Sequence, residues 1–137
     1  MKKKSLVLMM FLFLAVGLIA CGNADSKVPK KEALTFENFE KALKKEKYDL
    51  GEREEKMAEF IGAKEGFALP VNNKNIEIYQ FEKNDKKLKE ITKNKEFEIE
   101  GIAKIPVEVN GNFILIASEH PDKDKIIEIF NNFDGSK

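Results

Sequence analysis

The sequence predicts an α+β domain: a small antiparallel sheet with helices packed mainly on one face, preceded by a cleaved amino-terminal leader. Three observations lead there. Apolar residues recur at helical spacing at both ends of the polar part of the chain, at Phe36, Phe39 and Leu43 and again at Ile126, Ile129, Phe130 and Phe133. Between them the period drops to two, as in IEIYQF at 76–81. Turn signals, NNKN at 72–75 and Asn110-Gly111, separate the alternating runs. Strands bracketed and interrupted by helices within one short chain make a mixed architecture around a single core.

Taken in order, Thr35 is placed to cap a helix over 36–48. A second helix is expected over EREEKMAEFIGAK at 52–64, with Met57, Phe60 and Ile61 inward. Glu52, Glu54 and Glu55 suit its positive end, and Gly62 and Gly66 weaken its close. FALPV at 67–71 then alternates. IEIYQF presents Ile76 and Ile78 on one side and Tyr79 and Phe81 on the other, so this strand should be covered on both faces and central.

NDKKLKEITKN at 84–94 returns to helical spacing through Leu88 and Ile91. EFEIEGIAKIPVEV at 96–109 alternates again, with Phe97 and Ile99 inward and Glu96, Glu98 and Glu100 outward. Gly101 and Pro106 mark a break between two short strands. Asn110-Gly111 predicts a type I′ hairpin turn, because both residues tolerate positive φ. It leads into the almost wholly apolar strand NFILIA at 112–117. The closing helix lies in HPDKDKIIEIFNNF at 120–133, with Pro121 in its first turn. Each of its four large apolar side chains is worth about 1.5–3 kcal/mol when buried, before entropy.

The amino terminus follows different rules. Met1-Lys2-Lys3-Lys4-Ser5 is cationic, and Leu6 to Ala20 is an uninterrupted apolar and small-residue run. That run falls short of the roughly 20 apolar residues needed to cross a bilayer, and Gly22, Asn23, Ala24 and Asp25 after it are not a cationic stop-transfer flank. A cationic start, a short apolar run and a small-residue end describe a secretory signal peptide. The expected plan is a signal peptide at 1–20, an attachment point and flexible tether at 21–33, and one α+β domain at 34–134. A linker of the tether's length has an end-to-end distance of roughly 20 Å.

Leu18-Ile19-Ala20-Cys21, at the end of that run, resembles the lipobox of bacterial lipoproteins. The resemblance implies a diacylglycerol in thioether linkage on Cys21, cleavage between Ala20 and Cys21, and residence on the extracytoplasmic face of the cell membrane. Two acyl chains anchor durably where one anchors only marginally. Cys21 is the only cysteine of the chain. Its acylation would leave no thiol for a disulfide, a nucleophile or a metal ligand. The stretch from about 60 to 133, with its IEIYQF strand, NGNF hairpin and KIIEIF helix, is also similar to the domains of small lipoproteins of low-GC Gram-positive bacteria. That similarity brings no activity with it.

The search for chemistry returns little. The chain balances 24 basic against 24 acidic residues, and loss of residues 1–20 removes three lysines and no acid, leaving a formal charge of −3. A nucleic-acid binder would need a basic excess to displace phosphate counterions, so none is expected. The single histidine, His120, has Ser118 two residues away, but beside Pro121 it reads better as a helix-entry residue than as a catalytic base. Asp122 and Asp124 lack the further ligands of a calcium loop and suit a helix amino terminus. No zinc set can be assembled, no glycine-rich phosphate loop is present, and no cofactor is called for. Glu96, Glu98 and Glu100 would line one strand face about 7 Å apart, which is ordinarily a solvated surface. The lysines from Lys83 to Lys95 could face anionic lipid or wall polymer, diluted by Glu82, Asp85, Glu90 and Glu96.

The expectation is therefore a lipid-anchored surface protein acting as a non-catalytic binding or accessory module, whose partners are the membrane and an unidentified protein or envelope component. The alternatives are a small envelope hydrolase using carboxylates and a phage-exclusion or immunity lipoprotein.

Overall fold

A computed structural model describes residues 29–99 and 101–137. Ala20, Cys21 and the leader lie outside the described residues. The elements, in chain order, are α1 (Phe36–Lys45), β1 (Glu54–Glu55), a 3₁₀ turn (Ala58–Ile61), β2 (Glu65–Val71), β3 (Lys74–Gln80), α2 (Lys86–Asn94), β4 (Glu96–Ile99), β5 (Ala103–Pro106), β6 (Glu108–Asn110), β7 (Phe113–Ile116) and α3 (Lys123–Asn131). They form a mixed α+β fold. One antiparallel sheet has the order β1-β2-β3-β7-β6, and β4 and β5 make a separate two-stranded ribbon.

β3 is the middle strand, as its two-sided apolar pattern predicts. Ile76 and Ile78 enter one cluster with Phe67, Leu69 and Val71 of β2 and Phe113 and Leu115 of β7. On the reverse, Tyr79 and Phe81 join Ile114 of β7 in a second cluster. The register explains the sorting, since Ile78 lies opposite both Phe67 and Leu115, and Tyr79 opposite Gly66 and Ile114. Gly66 is required there, because a Cβ would collide with the Tyr79 ring lying over it.

α1 and α3 cover the first face. Thr35 caps α1 through its side chain, which accepts from Asn38 N–H at 3.0 Å. Phe36, Phe39 and Leu43 then turn inward. Phe39 meets Phe130 of α3 edge-on, with ring centroids 5.8 Å apart, while Phe36 contacts Phe67 and Phe113 at 4.8 and 5.7 Å. Ile126, Ile129, Phe130 and Phe133 are buried as their spacing foretells. The other face is covered by α2, the 3₁₀ turn and the ribbon.

Two expectations are corrected. The helix predicted over 52–64 does not form. Leu50 bridges Val71, Gly51 N–H donates to Pro70, and Glu54–Glu55 pair with Ala68 and Phe67, so this segment runs extended along the outer edge of β2. The Pro70 carbonyl faces that edge, and so does its donor-less nitrogen, which spares the ladder to β3. Arg53 holds the extended form by pairing with Glu40 of α1 at 2.7 Å and stacking over Phe67. Satisfying the edge of β2 outweighs local helix propensity.

The second correction concerns the hairpin at Asn110-Gly111, which is displaced by one residue. Asn110 pairs with Phe113, so the loop is Gly111-Asn112, with positive φ at Gly111 alone. That is the glycine-first pattern of a II′ turn. The shift frees the Asn110 side chain to work elsewhere. Its Nδ2 donates to the carbonyls of Phe130 (2.9 Å) and Phe133 (3.0 Å), capping the end of α3, and its Oδ1 accepts from Gly135 N–H at 3.1 Å. Gly111 and Gly135 approach so closely that a Cβ on either would strike the other segment's backbone.

Glu32 and Ala33, read from sequence as the end of the tether, belong to the compact unit Lys31–Lys137. Asp134 N–H donates to Glu32, and Leu34 N–H donates to Asp134. The β6–β7 turn, the carboxyl-terminal segment and the start of the domain are thus tied together at one place. Asn110→Ala leaves the Phe133 carbonyl and the Gly135 N–H unpaired there and removes one donor from the Phe130 carbonyl. It is expected to lower unfolding free energy by about 1–3 kcal/mol, whereas Lys41→Ala on the exposed side of α1 should stay within about 0.5 kcal/mol. Urea denaturation of the two variants checks the contrast.

Candidate functional site

A concavity on the second face lies between the 3₁₀ turn, α2 and the ribbon. Local sequence builds each wall. Asp85 caps α2 by accepting from Leu88 N–H at 2.9 Å. Leu88 and Ile91 anchor the helix inward, and Lys95 in a left-handed conformation (φ 56°) ends it and turns the chain into β4. The ribbon then doubles back to pair Ile99 with Ala103, and Gly101 between them takes φ 72°. Phe97 is buried beneath it, with Lys87 Nζ 5.2 Å from the ring centroid. Across from these, Gly62 (φ 77°) closes the 3₁₀ turn, and Ala58 rather than Phe60 packs inward.

The resulting groove encloses about 980 Å³ and is lined by Phe60, Ile61, Ile91, Phe97 and Ile99, with Lys87, Lys93 and Lys104 facing Glu90, Glu96 and Glu98 among its polar residues. Of the four large apolar side chains that are exposed among the described residues, Phe60 and Ile99 line it, while Met57 precedes the 3₁₀ turn and Ile102 lies between β4 and β5. Met57 is 75% exposed, Phe60 78%, Ile99 37% and Ile102 81%. Met57, Phe60 and Ile99 were expected inward. Phe60 and Met57 are outward because the predicted helix is replaced by a short 3₁₀ turn, whose threefold repeat turns Ala58 to the core instead. Ile99 is outward because exposure rises along the ribbon from buried Phe97 toward the turn that carries Ile102.

Of the residues singled out for chemistry, His120 is engaged within the fold. His120 is buried at the junction of β7 and α3. Its Nε2 lies 2.9 Å from the Val71 carbonyl, and Asp122 N–H donates to Nδ1 at 3.0 Å. Those partners require the Nε2–H tautomer and use both nitrogens, leaving none for Ser118. Asp122 and Asp124 stand at the amino terminus of α3. Glu96 and Glu98 are exposed on β4. Among the described residues no three His, Cys, Asp or Glu side chains converge to hold a metal ion.

One polar network escapes sequence reading. Tyr79 Oη donates to Glu77 at 2.6 Å, and the other Glu77 oxygen meets Lys56 Nζ at 3.2 Å. Alternation along β3 puts Glu77 and Tyr79 on one side, but only the fold brings Lys56 to them. Burial and the adjacent carboxylate both push the Tyr79 phenol well above its ordinary value, and burial first, with Asp122 second, raises Tyr48.

No protein-family model, curated protein or solved structure matches this chain. Among the described residues no helix is long and apolar enough to cross a membrane.

Two outcomes are expected. His120→Ala should cost about 1–3 kcal/mol by removing a buried donor from the Val71 carbonyl and the acceptor of the Asp122 N–H, read from the shift in denaturation midpoint. The chain has two tyrosines and no tryptophan, so ultraviolet titration reports both phenols cleanly. Neither should ionise near its ordinary value while the fold persists, and Tyr79 should follow Tyr48. The sign of the linkage is fixed: a phenol raised in the folded state contributes stability below its unfolded pKa of about 10, and that contribution is lost as pH climbs through the folded value. Half-ionisation of Tyr79 at pH 10 in the native protein would contradict this.

Proposed function

We propose that the chain is a lipid-anchored protein of the extracytoplasmic face of the cell membrane, held through Cys21 after cleavage behind Ala20, and that its folded domain is a non-catalytic binding or accessory module. The leader and the Leu18-Ile19-Ala20-Cys21 sequence support the anchor. The compact unit starts at Lys31, so residues 22–30 separate it from the attachment point.

The observation that carries the binding role is where the exposed apolar surface lies. Met57, Phe60, Ile99 and Ile102 are concentrated on the elements of one groove, while His120, Asn110 and Tyr79 are engaged in hydrogen bonds that hold the fold. Phe60 and Ile99 line the groove together, and exposed apolar side chains gathered at one concavity support a binding role. Carboxylate hydrolysis is the second reading, favoured by Glu90, Glu96 and Glu98 lining the same groove. It demands that one Glu→Gln change abolish hydrolysis of an envelope substrate while thermal stability holds.

The anchor is tested on intact cells with a palmitate analogue. Wild-type chain should incorporate label and Cys21→Ala should incorporate none. Equal labelling of the two would remove the anchor and the address with it.

A further inference from the structure

We propose that the face formed by the 3₁₀ turn, α2 and the β4–β5 ribbon seats the domain on the anionic surface of the bilayer that holds its anchor, with Phe60 and Ile102 entering the interfacial layer. The proposal deepens the lipoprotein reading and rests on it for proximity. Three features of this face suit a charged lipid surface.

The first is its apolar content. Met57, Phe60, Ile99 and Ile102 protrude here, and Ile102 stands at the tip of a two-stranded ribbon, where insertion moves no core residue. The second is charge. α2 carries Lys86, Lys87, Lys89 and Lys93 against the single Glu90, and the 3₁₀ turn and ribbon add Lys104 against Glu59, Glu96 and Glu98, so the positive charge of this face is concentrated on α2. None of these four lysines forms an ion pair among the described residues, and Lys87 lies over the Phe97 ring. Unpaired lysines beside exposed apolar side chains are the arrangement by which peripheral domains meet anionic headgroups, the ammonium groups remaining at headgroup level while stems and apolar neighbours go deeper.

The third feature is reach. Residues 22–30 between the attachment point and Lys31 span at most about 30 Å when fully extended. The domain's radius of gyration is about 13 Å for its length, so a tether of that reach lets any face come to the bilayer. Attachment then supplies the face at high effective concentration, and weak interfacial contacts suffice to orient it.

Because the chain has no tryptophan, single substitutions give clean depth probes. Ile102→Trp and, on the opposite face, Lys41→Trp are prepared in the acylated mature chain and reconstituted into phosphatidylglycerol–phosphatidylcholine vesicles, with and without lipids brominated near the headgroup. The indole at 102 should shift to the blue and be quenched by bromolipid at least twofold more than that at 41. Replacing Lys86, Lys87, Lys89 and Lys93 with Gln should lower binding of the unacylated Cys21→Ser chain to the same vesicles by about tenfold or more.

Equal quenching at 102 and 41 overturns the proposal. So does a blue shift that depends on protein concentration without vesicles, which would indicate a second copy of the chain, and so does salt-sensitive binding to anionic wall polymer without any bromolipid quenching. Mass analysis of the amino-terminal peptide reports the anchor separately. An unacylated Cys21 would defeat the lipoprotein reading, while the vesicle measurement on the Cys21→Ser chain would still decide the docking face.

Discussion

In β3, Ile76 and Ile78 point into one apolar cluster, while Tyr79 and the following Phe81 point into another on the opposite side of the sheet. Neither face of this strand can be left to water. Burying each such side chain is worth about 1.5–3 kcal/mol, so a cover is required above and below, and β2 and β7 must flank the strand in the register that extends both apolar surfaces. The remaining architecture follows from how the two covers are built.

The covers are unequal. On the first face α1 and α3 interlock through Phe39 and Phe130, and aromatic edges from Phe36 reach across to β2 and β7. Asn110, Gly111 and Gly135 then fasten the end of α3 to the β6–β7 turn. On the second face the cover is assembled from short pieces: a single 3₁₀ turn, a helix of 9 residues and a two-stranded ribbon. Short elements bury their inward residues, here Ala58, Leu88, Ile91 and Phe97, but leave gaps between them and apolar tips beyond them. The groove and its exposed side chains are the consequence.

Hydrogen bonding reinforces the division. The polar side chains best suited to chemistry, His120 and the Tyr79–Glu77 pair, are satisfied within the protein. A buried group so engaged stabilises one conformation and is unavailable for proton transfer to an outside molecule without first breaking those bonds. The groove in contrast presents lysines and glutamates in equal number along its lining, all on solvated elements. Such a surface favours association governed by shape, apolar contact and ionic strength.

Much of the fold was legible in the sequence, and the reason is local. Thr35, the spacing of Leu88 and Ile91, and that of Ile126, Ile129, Phe130 and Phe133 act within a few residues of themselves, as does the alternation of β3, so α1, α2, α3 and the central strand could all be read directly. The helix expected at 52–64 failed because its rival was distant in sequence: the open edge of β2, and the carboxylate of Glu40 waiting for Arg53. The hairpin shifted by one residue because Asn110 is drawn to the end of α3 and Gly111 to Gly135. The groove was illegible for the same reason, since Phe60 and Ile99 look like core residues until the elements carrying them prove too short to bury them. Sequence alone determined where apolar faces begin and what each segment prefers. Tertiary structure decided which of those faces found a partner, because pairing of edges and sharing of carbonyls are contests between residues far apart in the chain.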